Sequence, residues 1–299
     1  MARQKREEEY SFLLDVFSGI LFHAIRLAEG ETVRLEYRFD CPEFPQLRER
    51  YPIETVAGKG GDFERALRLC RWLAPRLRHK SDYDNHVPCN ALALLDYCFE
   101  KSDTGINCLS KAKVLVECCL ALGIYARRVG GMPCSPYDGD SHVVTEIFDR
   151  KRSKWVALDP TCGSYFSTGG EPLSCLELRD AFAEHRSVSA ILNRQNPARI
   201  QELQKRNLDV NYYYAKNLFY FSLDTISAFG VPKENAAIFV VPEGFDLRRQ
   251  QIKHLEYMAS GYHMDMGEQI ARTKEKHFRI GSPALWDRPG PESNPQRDA

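Results

Sequence analysis

One cysteine stands where chemistry can be expected. Asn107-Cys108 precedes an apolar helical stripe of Ala112, Leu115, Cys119 and Leu122, which ends at Leu122-Gly123-Ile124, a glycine stop with a hydrophobic residue beyond it. A thiol in the first turn of a helix meets backbone N–H groups that have no helical partner and the positive end of the helix dipole, so thiolate is favoured over thiol. Cys118 and Cys119 lie turns further along, where that field has faded, and read as small buried apolar residues. A thiolate nucleophile also needs a base, and the base needs an orienting group. His142 and Asp159 are the candidates, carried by two β-like runs, His142 to Phe148 and Trp155 to Leu158. With Asp149-Arg150-Lys151-Arg152 as the loop, Phe148 pairs with Ser153 and His142 falls opposite Asp159, with Cβ atoms ~4.5–5.5 Å apart. A slip by one residue would send them to opposite faces, so paired residue numbers must keep an odd sum. Taken singly, each has an ordinary reading: a structural histidine at a strand start, and an Asp-Pro turn.

The elements that position these residues follow from periodicity. Phe63, Ala66, Leu67, Cys70 and Leu73 recur at helical spacing, as do Leu92, Leu95 and Phe99 after a start near Pro88 and Asn90. A strand over Ile124 to Val129 precedes the His142 run, and the loop Gly130 to Ser141 between them is dominated by Gly, Pro, Ser and Asp. Ser174-Cys175-Leu176-Glu177 has capping-box spacing and opens a helix to about His185. Tyr212 to Phe221 is strongly aromatic and Ala237 to Val241 strand-like. The expected organisation is an N-terminal extension over 1–60, with a flexible break at Gly58 to Gly61, a core over 61–185, an extension over 186–285 that packs on the core, and a Pro-rich disordered tail over 286–299. The Gly58 to Gly61 stretch is not a phosphate loop, because the Lys-Ser/Thr of that motif is missing.

Composition excludes several classes. Lysine plus arginine number 41 and aspartate plus glutamate 41, so no global basic field exists to hold a phosphate backbone, and nucleic acid is not an expected partner. The ten cysteines include no C-x-x-C pair, which argues against a structural zinc. The apolar stretch near the N-terminus is broken by Asp15, His23 and Arg26, so it reads as neither signal peptide nor spanning helix; no membrane partner, a cytoplasmic location and reduced thiols are expected.

Gly105-Ile-Asn-Cys108-Leu-Ser-Lys-Ala112, continuing to Ala121-Leu-Gly-Ile-Tyr-Ala-Arg-Arg-Val129, together with Ser141-His142-Val-Val-Thr-Glu146 and Lys154-Trp155-Val-Ala-Leu-Asp159-Pro160-Thr161, resembles the transglutaminase-like core of the papain-like cysteine enzymes. The blocks come in the family order Cys, His, Asp. One departure is Gly-x-x-Cys in place of the commoner Gly-x-Cys. The resemblance implies an α+β fold in which the nucleophile helix packs on an antiparallel sheet. It also implies that Cys108 is the nucleophile, His142 the general base and acid, and Asp159 the group that sets the imidazole tautomer. The implied reaction is thiol-dependent acyl transfer at an amide or peptide bond of a peptide or protein substrate, by a cysteine peptidase or amidase or a transglutaminase-like acyltransferase. No cofactor is expected. The alternative is a catalytically silent scaffold of the same fold.

Around this core, the Cys108 N–H is a natural oxyanion donor. Trp72, the only tryptophan upstream of Cys108, is a second candidate, although it falls in its own helix's apolar periodicity. Tyr212, Tyr213 and Tyr214 could line a groove but read better as a covering element. Asp138 and Asp140, lacking further oxygen ligands, do not make a calcium site, and no metal is expected. The loop before His142 is the candidate control over whether water or an amine resolves the thioester, and with no apolar tunnel in view the reading leans to water. Oligomeric state is not readable.

Overall fold

A computed structural model describes residues 2–100, 103–192 and 210–290. Its centre is the helix Cys108–Ala121, buried from Ser110 to Ala121 without a solvent face. The sheet covers one side, and helices Phe44–Arg50, Asp62–Leu73 and Ala91–Glu100 cover the other. The apolar stripe therefore understated the burial, and the polar residues between its positions need internal partners. Lys113 Nζ donates to Ala228 O at 2.7 Å and lies 3.1 Å from Glu117 Oε1; Glu117 in turn accepts from the amides of Ala91 (2.7 Å) and Gly230 (2.9 Å). Burial still dominates at Glu117 and pushes its carboxyl up to about 7, against the pull of Lys113 and the two amides.

Six strands form the main sheet in the spatial order 279–280, 237–240, 220–224, 126–132, 142–149, 154–158. Neighbours are antiparallel except at the far edge, where Ile238 pairs with Arg279 in parallel. The architecture is α+β, a buried helix on a mostly antiparallel sheet. Three of the six strands come from beyond residue 186, so the C-terminal third widens the sheet as well as covering it. The aromatic run divides into a helix, Val210–Lys216, and a strand, Tyr220–Asp224. Ser174 and Glu177 make the expected reciprocal capping box at the helix Cys175–Ala183. The N-terminal stretch supplies a long helix, Ala2–His23, that packs on 175–183 and 210–216. No described helix is long and apolar enough to cross a membrane.

Three local expectations are corrected. In the hairpin, Asp149 pairs with Lys154 and Phe148 with Trp155, so the loop is Arg150 to Ser153, one residue later than expected. Asp149 stays in the strand because its carboxylate accepts from Lys151 N and pairs with Arg152 at 2.7 Å, and Ser153 closes the turn at φ +51. The strand expected to stop at Val129 runs on to Met132, so Gly130 and Gly131 are sheet residues. Gly131 is there for a packing reason: a Cβ would lie 2.3 Å from Asn217 O, where the chain returns against the strand.

The third correction is at Trp286, assigned from sequence to the tail. Residues 283–286 form a short 3-10 turn, and the Trp286 indole donates to Glu146 Oε1 at 2.9 Å. Arg127, with no exposed surface, donates twice to Glu146 Oε2 (2.7 and 3.0 Å) and to Leu285 O (2.6 Å). Its guanidinium lies 3.9 Å from the Trp155 ring centroid and 4.9 Å from that of Trp286. A buried guanidinium needs acceptors: Glu146 and the Leu285 carbonyl supply them, and the Trp286 ring at the start of the expected tail covers its face and bonds the same carboxylate. The remainder of the expected tail, 291–299, lies outside the described residues.

Candidate active site

The helix carrying Cys108 starts at a defined point. Ile106 is fully buried, and the 78–80 segment runs beside it, with Ile106 N donating to Arg78 O and Lys80 N to Ile106 O. Asn107 is then the N-cap, its Oδ1 accepting from Ser110 N at 3.0 Å. The residue that lengthens the Gly-x-x-Cys turn thus lets one residue anchor and the next cap. Cys108 is left in the first turn, where its own amide and that of Leu109 have no helical acceptor. Thr145 Oγ donates to Ala112 O at 3.0 Å and ties this helix to the strand that begins at His142.

That strand brings the expected partners together. His142 Nε2 lies 3.1 Å from Asp159 Oδ2, and both side chains are almost fully buried. The two residues are not directly opposed, since Thr145 faces Leu158, but the odd sum is kept and a diagonal pair on one face results. Asp159 is held at the strand end by its own amide, which donates to Ser164 O, and by Thr161 N–H, which donates to Oδ1 at 2.7 Å. With Nε2 engaged by Asp159, Nδ1 is the ring nitrogen left for the Cys108 thiol, which lines the same cavity as His142.

The charges agree with this geometry. Burial pushes the Cys108 thiol up, but the hydrogen bond and charge of His142 and the Val143 N–H outweigh it, and the thiol is held below its ordinary value. Burial likewise opposes the imidazolium, yet the charge and hydrogen bond of Asp159, helped by Cys108, raise His142 to about 10. At Asp159, burial is outweighed by His142, Tyr214 and the Thr161 amide, which keep the carboxyl well below the usual carboxylate range. The arrangement favours a thiolate–imidazolium pair backed by a carboxylate. Burial raises Cys41, Cys70, Cys89, Cys98, Cys118, Cys119, Cys134 and Cys175 instead.

Cys108 and His142 open into a cavity of about 960 Å³. Ser135 to Val143 form one wall, and Tyr257, Met258 and Tyr262, from the helix Leu247–Gly261 and its end, form another. Tyr137 and Tyr262 stand about 60% exposed, and Tyr137 and Tyr257 meet edge to face at 5.7 Å. The lip is pinned from the helix 210–216: Lys216 Nζ lies 2.8 Å from Asp138 and 3.5 Å from Asp140. These two carboxylates are thus engaged with a lysine. Trp72 does not line the cavity; it packs against Phe99 with Arg76 over its ring. His79 does line it, brought beside Cys108 by the bridge to Ile106, and sequence reading missed it because that bridge is tertiary.

Sequence reading also missed the role of Tyr214, whose phenol donates to Asp159 Oδ2 at 2.6 Å. Only the aromatic density of its segment pointed there. A first-turn cysteine on a helix buried against an antiparallel sheet, with His and Asp on the adjacent strands, defines the papain-like α+β class. Residues 49–160 match the family model of the transglutaminase-like superfamily, and it is this segment that carries the likeness. No curated protein and no solved structure matches the chain.

Proposed function

We propose that the protein is a thiol-dependent acyltransferase acting on amide or peptide bonds, with Cys108, His142 and Asp159 as its catalytic groups. The observation that carries this reading is that Cys108 and His142 line one cavity, a depressed thiol beside a raised imidazole, with the buried Asp159 carboxylate 3.1 Å behind that imidazole. Cys108 Sγ attacks the carbonyl carbon, and the oxyanion that forms lies toward the first-turn amides. As the C–N bond breaks, His142 gives its Nδ1 proton to the departing amine. The neutral imidazole then takes a proton from the resolving nucleophile, which attacks the thioester and releases the thiolate. Asp159 keeps Nε2–H engaged throughout, so Nδ1 stays turned to sulfur.

Water is the favoured resolving nucleophile. Asp138 and Asp140, the carboxylates of the lip, are occupied by Lys216 and do not offer a site for an incoming ammonium. The test uses p-nitrophenyl acetate as acyl donor with cadaverine present. A burst of nitrophenolate that is lost in Cys108→Ala, followed mainly by acetate release, is the expected result. Predominant acetyl-cadaverine at millimolar amine would show that the site selects amines and would overturn the hydrolytic assignment. No acylation of Cys108 at all would leave the silent scaffold as the correct reading.

A further inference from the structure

The helix Val210–Lys216 lies outside the segment that matches the superfamily, yet it closes over the His142–Asp159 pair. We propose that Tyr214 is a positioning residue of the active site: its phenol O–H fixes the Asp159 carboxylate, and through it the plane of the His142 ring. The inference rests on the acyl-transfer reading above and adds a member that the superfamily segment does not contain.

Asp159 Oδ2 accepts from two donors, His142 Nε2 at 3.1 Å and Tyr214 at 2.6 Å, while Oδ1 accepts from Thr161 N–H at 2.7 Å. A carboxylate on a single Cα–Cβ stem can rotate about χ1 and χ2; three donors from three segments stop that rotation. The Tyr214 ring is itself held. It lies 4.3 Å from Phe166 and meets the His142 ring near-perpendicularly, at 5.3 Å and 80°. It therefore touches the imidazole on one edge and its carboxylate with its hydroxyl. A tyrosine serving only as core packing would need an acceptor, but a solvated carbonyl or water would do; here the acceptor is the group that orients the base. The other titratable side chains around this carboxylate are thiols and a phenol: Cys108, Cys70, Cys162 and Tyr213. His142 is the cation it faces.

The test reads Cys108 itself, so it needs no substrate. The rate of Cys108 alkylation by iodoacetamide is followed from pH 4 to 10 in the wild type, Tyr214→Phe, Asp159→Asn and the double variant, together with melting temperatures. If Tyr214 positions Asp159, the Phe variant keeps its fold, its acid midpoint moves up by about one pH unit, the scale of one charge-assisted hydrogen bond, and its plateau rate falls severalfold. In the Asp159→Asn background the same change then adds nothing. Should the Phe variant not fold, 3-fluorotyrosine placed at 214 decides: a more acidic donor must lower the midpoint. Superposed profiles, an unmoved midpoint with fluorotyrosine, or an undiminished Tyr214→Phe effect without the carboxylate would each overturn the positioning role. A wild-type Cys108 that shows no thiolate at neutral pH would instead sink the acyl-transfer reading.

Discussion

Removing the indole of Trp286 should destabilise the whole sheet, although the residue lies four positions before the last described one. The indole N–H bonds a fully buried carboxylate, Glu146, at 2.9 Å, and its ring flanks the buried Arg127 and packs on Phe221 at 5.2 Å. A hydrogen bond to a charged group contributes about 1.5–3 kcal/mol. A desolvated cation–π contact adds about 2 kcal/mol. Because these overlap with packing, the sum is bounded by the ~3–5 kcal/mol typical of truncating a large aromatic residue to alanine. For a chain of this size about 2 °C of melting temperature accompanies each kcal/mol, so Trp286→Ala should melt roughly 6–10 °C lower. Trp286→Phe keeps the ring and loses only the N–H, and should fall by about half as much. Thermal and urea unfolding, with the urea m-value unchanged, measure both. A Trp286→Ala melting within ~1 °C of the wild type would refute the argument, since that is the scale of an ordinary surface change.

Three further outcomes are expected. Limiting iodoacetamide at neutral pH should label Cys108 before the half-exposed Cys41, Cys89, Cys98 and Cys134, whose thiols burial raises; mass spectrometry of the first adduct decides. His142 titrates at about 10 when folded against about 6.5 when unfolded, so its contribution to stability is complete below pH 6.5 and is lost as the pH rises through 10. Urea midpoints between pH 6 and 10 should fall in the wild type, and His142→Gln should remove that part of the slope; parallel curves would contradict the raised pKa. Lys216→Met frees Asp138 and Asp140 at the lip, so the acetyl group from p-nitrophenyl acetate should pass to cadaverine severalfold more often than in the wild type, and an unchanged ratio of amide to acetate would remove the lip from control of the acyl pocket.

Much of the site was legible because it is local in sequence. Cys108 could be placed in a first turn from the stripe that follows it and the Gly123 stop that ends it, and backbone geometry then dictates the field at the thiol. The facing of His142 and Asp159 needed only the parity of a hairpin, and parity survived a loop that starts one residue later than expected. That shift depended on the Asp149–Arg152 pair and the conformation of Ser153, which alternation of residue types does not encode.

What tertiary structure alone decided has a common cause. Tyr214 meets Asp159 across 55 residues, Trp286 meets Glu146 across 140, and Lys216 meets Asp138 across 78. In each case a polar tip on an apolar or long side chain finds its partner only after two distant segments are brought into register by the sheet. Periodicity reports whether a side chain faces inward; it carries no information on which buried charge waits there. The amino-acid sequence by itself determined a cysteine in the first turn of a helix and a histidine and an aspartate that share one face of a hairpin. The return of the C-terminal strands across Val129 and Gly131 decided what holds that carboxylate and what closes the cavity around it.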